Sequence, residues 1–128
     1  MMILARLCNP ACGIALAIAV GAAPAAFSRS APLELPEIAI AELPREGRDT
    51  LERIRANRPF RHERDGAVFG NRERMLPLHP RGYYREYTVR TPASKNRGAR
   101  RIVCGGRAFP EACFYSDDHY RSFSKIRE

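Results

Sequence analysis

Four ionisable side chains in the second half of the chain could together do chemistry on a phosphodiester: Glu86, Arg97, Arg101 and His119. Cleavage of RNA by its own 2′-hydroxyl needs a base for that proton, an acid for the departing 5′-oxygen, and cations for the charge that builds on the phosphate. A carboxylate, an imidazole and two guanidinium groups suit those tasks. No single member is telling, since a solitary histidine is more often structural or merely exposed. The combination is informative because phosphate binding alone would not call for the carboxylate.

The elements that must position them can be read from local patterns. Tyr83 to Val89 has the aromatic and β-branched character of a strand. Alternation puts Tyr84, Glu86 and Thr88 on one face and Tyr83, Tyr87 and Val89 on the other, the second face suiting a core. A second strand is expected over Ala99 to Cys104, with Arg101 pointing away from the face carrying Ile102 and Cys104. Thr91 to Gly98, rich in turn formers, joins the two. His119 falls in a late polar loop, Asp117 to Tyr120, between short strands at Phe114-Tyr115 and Ser122 to Ile126.

Upstream, Leu51 and Ile54 recur at helical spacing among charged residues over Arg45 to Asn57, and Asn57-Arg58-Pro59 ends that helix. Its apolar stripe is narrow, so it must dock on a sheet. Asp65-Gly66 then reads as a turn, Ala67 to Phe69 as a short strand, and Gly70 to Glu73 as a polar loop. An N-terminal helix followed by strands predicts an α+β fold, the helix packed on a twisted antiparallel β-sheet.

The chain has 128 residues, room for one modest core, and a net charge of +8 with a pI near 9.9. That balance suits a polyanionic partner, nucleic acid or an anionic membrane surface, and the rival to an enzyme is a basic RNA-binding or membrane-active protein without catalysis. Arg6, the apolar run Ile14 to Val20 and the small residues Ala22 to Ala26 read as a signal peptide over 1–26. A loose arm is expected over 27–41 and the functional domain over 42–128. The apolar run is short for a bilayer span, and no second one follows. A secreted, extracellular protein without a membrane anchor is expected, as a monomer. Cys8 and Cys12 would leave with the signal. Cys104 and Cys113 would then meet an oxidising compartment, where a disulfide across a hairpin is expected and a buried free thiol at Cys104 is the alternative. No Cys/His cluster suggests zinc, and neither a metal nor another cofactor is expected.

From about Leu43 to Ile126 the chain resembles the small microbial guanyl-preferring ribonucleases, the family of barnase. The resemblance is carried by Phe69-Gly70-Asn71-Arg72-Glu73 with Leu76-Pro77, Tyr84-Arg85-Glu86-Tyr87, Arg97-Gly98 with Arg100-Arg101, and Asp118-His119-Tyr120 with Phe123. It implies an endoribonuclease with Glu86 as general base, His119 as general acid, and Arg97 and Arg101 as the phosphate-binding pair. It also implies that Gly70 to Glu73 reads guanine. Glu73 would take the N1-H and N2-H donors, and backbone N-H groups of Asn71 and Arg72 would bind O6. Tyr120 and Phe69 are expected to stack on the base, Phe69 being equally suited to the core, while Arg100 adds charge beside the phosphate. A barstar-like acidic inhibitor is the partner implied besides RNA. The chain departs from the family at Cys104 and Cys113, which would close a local hairpin instead of tying the ends. Gly70 is the smallest choice at its position. Thr88 stands where barnase has an acidic residue, leaving the arginines to be held by Glu86 and their surroundings.

Overall fold

The computed structural model describes residues 21, 34–106 and 110–128. Apart from Gly21, the expected signal peptide and the start of the expected arm lie outside the described residues. Six strands form one sheet: β1 (Glu37–Ala39), β2 (Ala67–Val68), β3 (Tyr84–Thr88), β4 (Arg101–Gly105), β5 (Ala112–Ser116) and β6 (Ser124–Arg127), in the order β1-β6-β5-β4-β3-β2. Among the described residues one α-helix, α1, spans Arg45–Arg55, after a 3-10 turn at Ile40–Glu42. None of the described helices is long and apolar enough to cross a membrane.

Two expectations change. The sheet is mixed, because β1 pairs in parallel with β6, Ile38 opposite Ile126, whereas the other four pairings are antiparallel. The last part of the expected arm is correspondingly ordered: residues 37–42 form β1 and the 3-10 turn, with Ile38 and Ile40 against the core.

Helix α1 ends at Arg55 because Asn57 takes a left-handed conformation (φ 49°). The N-H of Arg58 returns to the carbonyl of Arg53 at 2.9 Å and that of Asn57 to Ile54 at 3.2 Å, which satisfies the last turn in the Schellman pattern. Leu51 and Ile54 of α1, with Leu43, pack on Val89, Ile102, Cys104, Cys113 and Tyr115. Cys104 and Cys113 face each other across β4 and β5 and are joined by a disulfide, their Cα atoms 4.1 Å apart.

The opposite face is not simply open. Leu76 and Phe123 cover Tyr84, Val103 and Phe114, forming a second cluster at one end of that face. Tyr83, expected on one core-suited face with Tyr87 and Val89, joins this second cluster on the opposite face, its ring lying where a β-carbon on Gly105 would collide with it. The other end of the face carries Glu86, Thr88, Arg101 and Ser116, all buried. The sheet therefore offers a rigid, half-covered platform with its polar residues gathered beside an apolar lid.

Candidate active site

Glu86 sits in the middle of β3, opposite Val103 of β4 and Ala67 of β2, and is only 7% exposed. A carboxylate so buried needs donors. Arg97 Nη2 donates to Glu86 Oε1 at 3.1 Å and the Tyr120 hydroxyl donates to Oε2 at 3.0 Å. Arg64, largely exposed, places its Nε 3.8 Å from Oε1.

Arg97 is fixed from a second direction. Its Nε donates to the Thr88 hydroxyl at 2.6 Å, and its Nη2 lies 4.0 Å from Asp65 Oδ1. Thr88 thus takes over part of the task that the sequence comparison with barnase left to Glu86 and the surroundings, and Asp65 brings a carboxylate from another loop. Asp65 is itself held, accepting the Thr88 N-H at 2.7 Å. The loop carrying Arg97 turns tightly at Gly98 (φ 67°), where an added β-carbon would run into Thr91.

Arg101, 2% exposed, is the deepest cation among the described residues. Its Nη1 donates to the carbonyls of Gly98 at 2.9 Å and Arg100 at 2.8 Å, and its Nε to the Tyr120 hydroxyl at 3.1 Å. Among the described residues it has no carboxylate partner within 4.0 Å. Four neutral oxygens, these three and the Arg97 carbonyl 3.5 Å from Nη1, orient this guanidinium without neutralising it, which suits it to an incoming anion.

His119 is exposed on the loop between β5 and β6 and has a left-handed backbone (φ 56°), as does Tyr120 (φ 69°). Such consecutive conformations in residues with side chains need support. Asp118 provides it: Oδ1 accepts from the Ser116 hydroxyl and the Ser122 N-H, each at 2.9 Å, and Oδ2 from the Ser122 hydroxyl. The Tyr120 N-H donates to Ser116 Oγ at 3.0 Å and the His119 N-H to the Ala99 carbonyl at 2.9 Å. The Ser122 hydroxyl, followed by further N-H and hydroxyl donors, holds the Asp118 carboxyl below its ordinary value against the opposing effect of burial. Burial and then the neighbouring Glu86 push the Tyr120 phenol up, with Arg101 pulling the other way, so the hydroxyl keeps its proton at neutral pH.

The loop after β2 is clamped by Asn71. Its side-chain amide donates to the Leu76 carbonyl at 2.9 Å and its oxygen accepts the Leu76 N-H at 3.1 Å, a two-bond staple that leaves Arg72 and Glu73 exposed. Asn71 and Arg74 both have positive φ, 48° and 56°. Gly70 is exposed, with the Arg72 side chain over it. Phe69 lies stacked on Tyr120, centroids 5.3 Å apart, and edge-on to Phe123 at 5.9 Å, so it packs in the second cluster and borders the loop.

The structure therefore gathers Glu86, Arg97, Arg101 and Tyr120 into one hydrogen-bonded group. His119 stands at its edge, its ring 4.9 Å from that of Tyr120, and the Gly70–Glu73 loop borders it through Phe69. Arg100 is not brought in. It alternates to the other side of the sheet, where its Nη1 lies 4.0 Å from Glu46 of α1. Sequence reasoning missed Arg64, Asp65, Asp118 and the hydroxyl role of Tyr120. Asp65 is hidden inside an ordinary Asp-Gly turn signal; Ser116, Asp118 and Ser122 are spaced so that the central carboxylate can reach both serines, a pattern readable in retrospect as a side-chain-braced turn.

Comparison with known proteins bears on this arrangement. The chain is 45% identical over 89 residues to guanyl-specific ribonuclease Sa of Kitasatospora aureofaciens, which covers 70% of this chain and 91% of that one. It is 46% identical to guanyl-specific ribonuclease Sa3 of the same organism, again over 70% of this chain but spanning only 62% of that protein's length. Guanyl-specific ribonuclease St of Saccharopolyspora erythraea is 47% identical over 68% of this chain and 83% of its own. In three dimensions it resembles ribonuclease Sa2 from complexes with mononucleotides, with a TM-score of 0.70 and 43% identity over 74% of this chain and 96% of that one. Ribonuclease Sa2 with guanosine-2′-cyclophosphate gives a TM-score of 0.68 at 42% identity, covering 73% and 97%. The sequence profile described as ribonuclease matches residues 28–127. That match takes in all six strands and every side chain of the Glu86 group, and the chain belongs to the ribonuclease family.

Proposed function

We propose that this protein is a guanyl-preferring endoribonuclease that cleaves single-stranded RNA on the 3′ side of guanosine. It forms a 2′,3′-cyclic phosphate by transesterification and then hydrolyses it to a 3′-phosphate, with no metal required. The observation that carries this reading is the buried Glu86 carboxylate held by Arg97 and Tyr120 beside the un-neutralised Arg101. Guanyl-specific relatives and the guanosine cyclophosphate bound to ribonuclease Sa2 support the base preference.

In the first step Glu86 takes the 2′-hydroxyl proton. Each of its oxygens has one donor among the residues described above, and a carboxylate oxygen has a further lone pair for an incoming proton. The new 2′-O–P bond forms as the bond to the 5′-oxygen breaks, and His119 protonates that oxygen. Arg97 and Arg101 stabilise the charge on the non-bridging oxygens. In the second step the roles reverse: His119 accepts a proton from water, the water oxygen attacks phosphorus, and Glu86 returns a proton to the 2′-oxygen. Guanine is read by the stapled loop, its N1-H and N2-H donating to Glu73 and its O6 accepting from the N-H groups of Asn71 and Arg72. Tyr120 stacks on the base.

We further read the protein as a monomer and as secreted, and the Cys104–Cys113 disulfide supports secretion, since such bonds persist outside the cytosol. Its basic site would suit an acidic, barstar-like inhibitor. Incubating the purified protein with a GpN dinucleotide in EDTA tests the activity. The expected products are guanosine 2′,3′-cyclic phosphate and then guanosine 3′-phosphate. RNA binding without a cyclic product would sink the enzyme in favour of a non-catalytic binder, and activity only without EDTA would mean a metal nuclease.

A further inference from the structure

Residues 76–83 lead from the loop after β2 into β3 and carry an aromatic pair at the surface. The His79 imidazole lies flat on the Tyr83 ring, centroids 3.7 Å apart and planes 14° from parallel. Tyr84 stands nearly perpendicular to both, 5.8 Å from His79 and 4.8 Å from Tyr83. The pair is braced from several sides. The Tyr83 ring fits because Gly105 has no β-carbon, and its hydroxyl donates to Glu111 Oε2 at 3.2 Å. The Tyr84 hydroxyl donates to the Pro77 carbonyl at 2.6 Å, and the Tyr83 N-H closes a turn on the Pro80 carbonyl at 3.1 Å, with Gly82 at φ 92°. Pro77 and Pro80 fix the backbone φ on either side of His79.

A ring pair held in this way would serve the core if it were covered, but His79 is exposed and Leu78 before it is 68% exposed. Tyr83 covers one face of the imidazole and leaves the other to solvent. Arg81, at the tip of the turn, is exposed as well, and among the described residues it has no carboxylate within 4.0 Å. An open aromatic face with an apolar neighbour and a cation beside it fits a planar ring carried next to an anion, which is the chemistry of a nucleotide. Rings already fixed by their surroundings lose little freedom when a base settles on them.

The fold puts this platform beside the proposed guanine loop. The Asn71 side chain staples that loop to Leu76, at the start of the segment, and the Phe69 N-H donates to the Tyr84 carbonyl at 2.9 Å. Along the chain into β3 the platform comes first at Tyr83, the guanine loop meets Tyr84, and the cations for the reacting phosphate lie around Glu86 and Thr88. The reacting phosphate is on the 3′ side of guanosine, so the platform lies on the side offered to its 5′ neighbour. We propose that His79, backed by Tyr83, is a stacking subsite for the base of the nucleotide preceding the cleaved guanosine, with Arg81 as a cation for the linking phosphate. This inference rests on the nuclease reading above.

The test compares kcat/KM for GpU, for ApGpU and for an ApGpU analogue whose first nucleotide is abasic, using the native chain, His79→Ala and His79→Phe. The native protein is expected to favour ApGpU over GpU by roughly tenfold, the worth of one base stacked on an aromatic ring, and the abasic analogue should lose most of that gain. His79→Ala should cut GpU at the native rate, which also shows that it is folded, and lose the gain, whereas His79→Phe should keep it. Equal native rates on GpU and ApGpU would overturn the subsite, as would a gain that survives His79→Ala. An undiminished gain with the abasic analogue would assign the effect to charge alone and sink the stacking proposal. So would a His79→Ala chain slowed on GpU and ApGpU in proportion, since the ring would then be structural. A readout independent of cleavage is the His79 Cε1 proton, expected to move upfield in NMR spectra on titration with ApGpU carrying a 2′-O-methyl guanosine but not with its abasic form; a proton indifferent to both would refute the platform. Absence of GpU cleavage by the native protein would instead be a failure of the nuclease reading, and the proton shift would still decide whether the platform takes a base.

Discussion

Thr88 and Val89 are neighbours, and both are buried, yet the two faces of the sheet to which they belong are buried for different reasons. On the helix face Val89 and Ile102 are fully enclosed by apolar side chains and a disulfide. On the other face Glu86, Thr88 and Arg101 are nearly as inaccessible, at 7%, 6% and 2% exposure, but every one of them is hydrogen-bonded to another polar group. Apolar burial on the first face drives folding. Burial on the second costs desolvation, which the network offsets, and what it leaves behind is a set of dipoles and charges already pointing where a reacting phosphate would sit. One face holds the sheet together and the other uses its rigidity.

That contrast can be broken by exchanging effects between the faces. Glu86→Gln should lower kcat on GpN by about 10²- to 10⁴-fold with KM little changed. Steady-state kinetics beside thermal melting would check it, and an unchanged kcat would remove Glu86 from the base role. Ile102→Ala is the mirror experiment, expected to cost about 2–5 kcal/mol of stability in a denaturant titration while leaving kcat per folded molecule intact. A fall in kcat like that of Glu86→Gln would show that the faces are not separable.

Smaller changes sharpen the picture within the polar face. Tyr120→Phe keeps the ring stacked on Phe69 but deletes the hydroxyl between Arg101 and Glu86, and a drop of roughly tenfold in kcat is expected, the worth of a hydrogen bond to a charged group. If only KM rises, the hydroxyl is not part of the reacting network. Acid titration should give the least effect. Because the folded Asp118 carboxyl lies below its ordinary value of 3.8, its contribution is fully present above that value and is lost as pH falls through the folded pKa. Amide exchange at residues 117–122 should accelerate over that window, and Asp118→Ala should exchange fast already at neutral pH. Protection that does not respond to pH would mean the turn is held by its backbone alone.

Much of this was legible from alternation. The period of two separates Glu86 and Thr88 from Tyr87 and Val89, and Arg101 from Ile102 and Cys104, and the structure keeps those assignments. The same rule puts Arg100 opposite Arg101, so its pairing with Glu46 follows from a pattern that charge counting had overridden. The parallel β1 was not legible, since three residues with one isoleucine carry little strand signal and acquire their structure from a partner far along the chain. Nor was the Tyr120 bridge, which depends on where a left-handed turn aims a phenol. Side-chain networks between distant loops have no period to read.

The pairing of β1 with β6 also sets an order of events. Residues 37–39 emerge early in synthesis and their sheet partners, Lys125–Arg127, close to ninety residues later by the chain numbering. Until then β1 has no neighbour, and such non-local pairings are slow to form. His119 and the braced turn that presents it come only just before β6, and Phe123, which helps cover the Tyr84 cluster, lies between them. A growing chain thus carries the Glu86 strand for some time with neither the proposed acid nor Phe123, and the topology postpones a complete site until β6 has been made, on a ribosome built of the very polymer that site is proposed to cut.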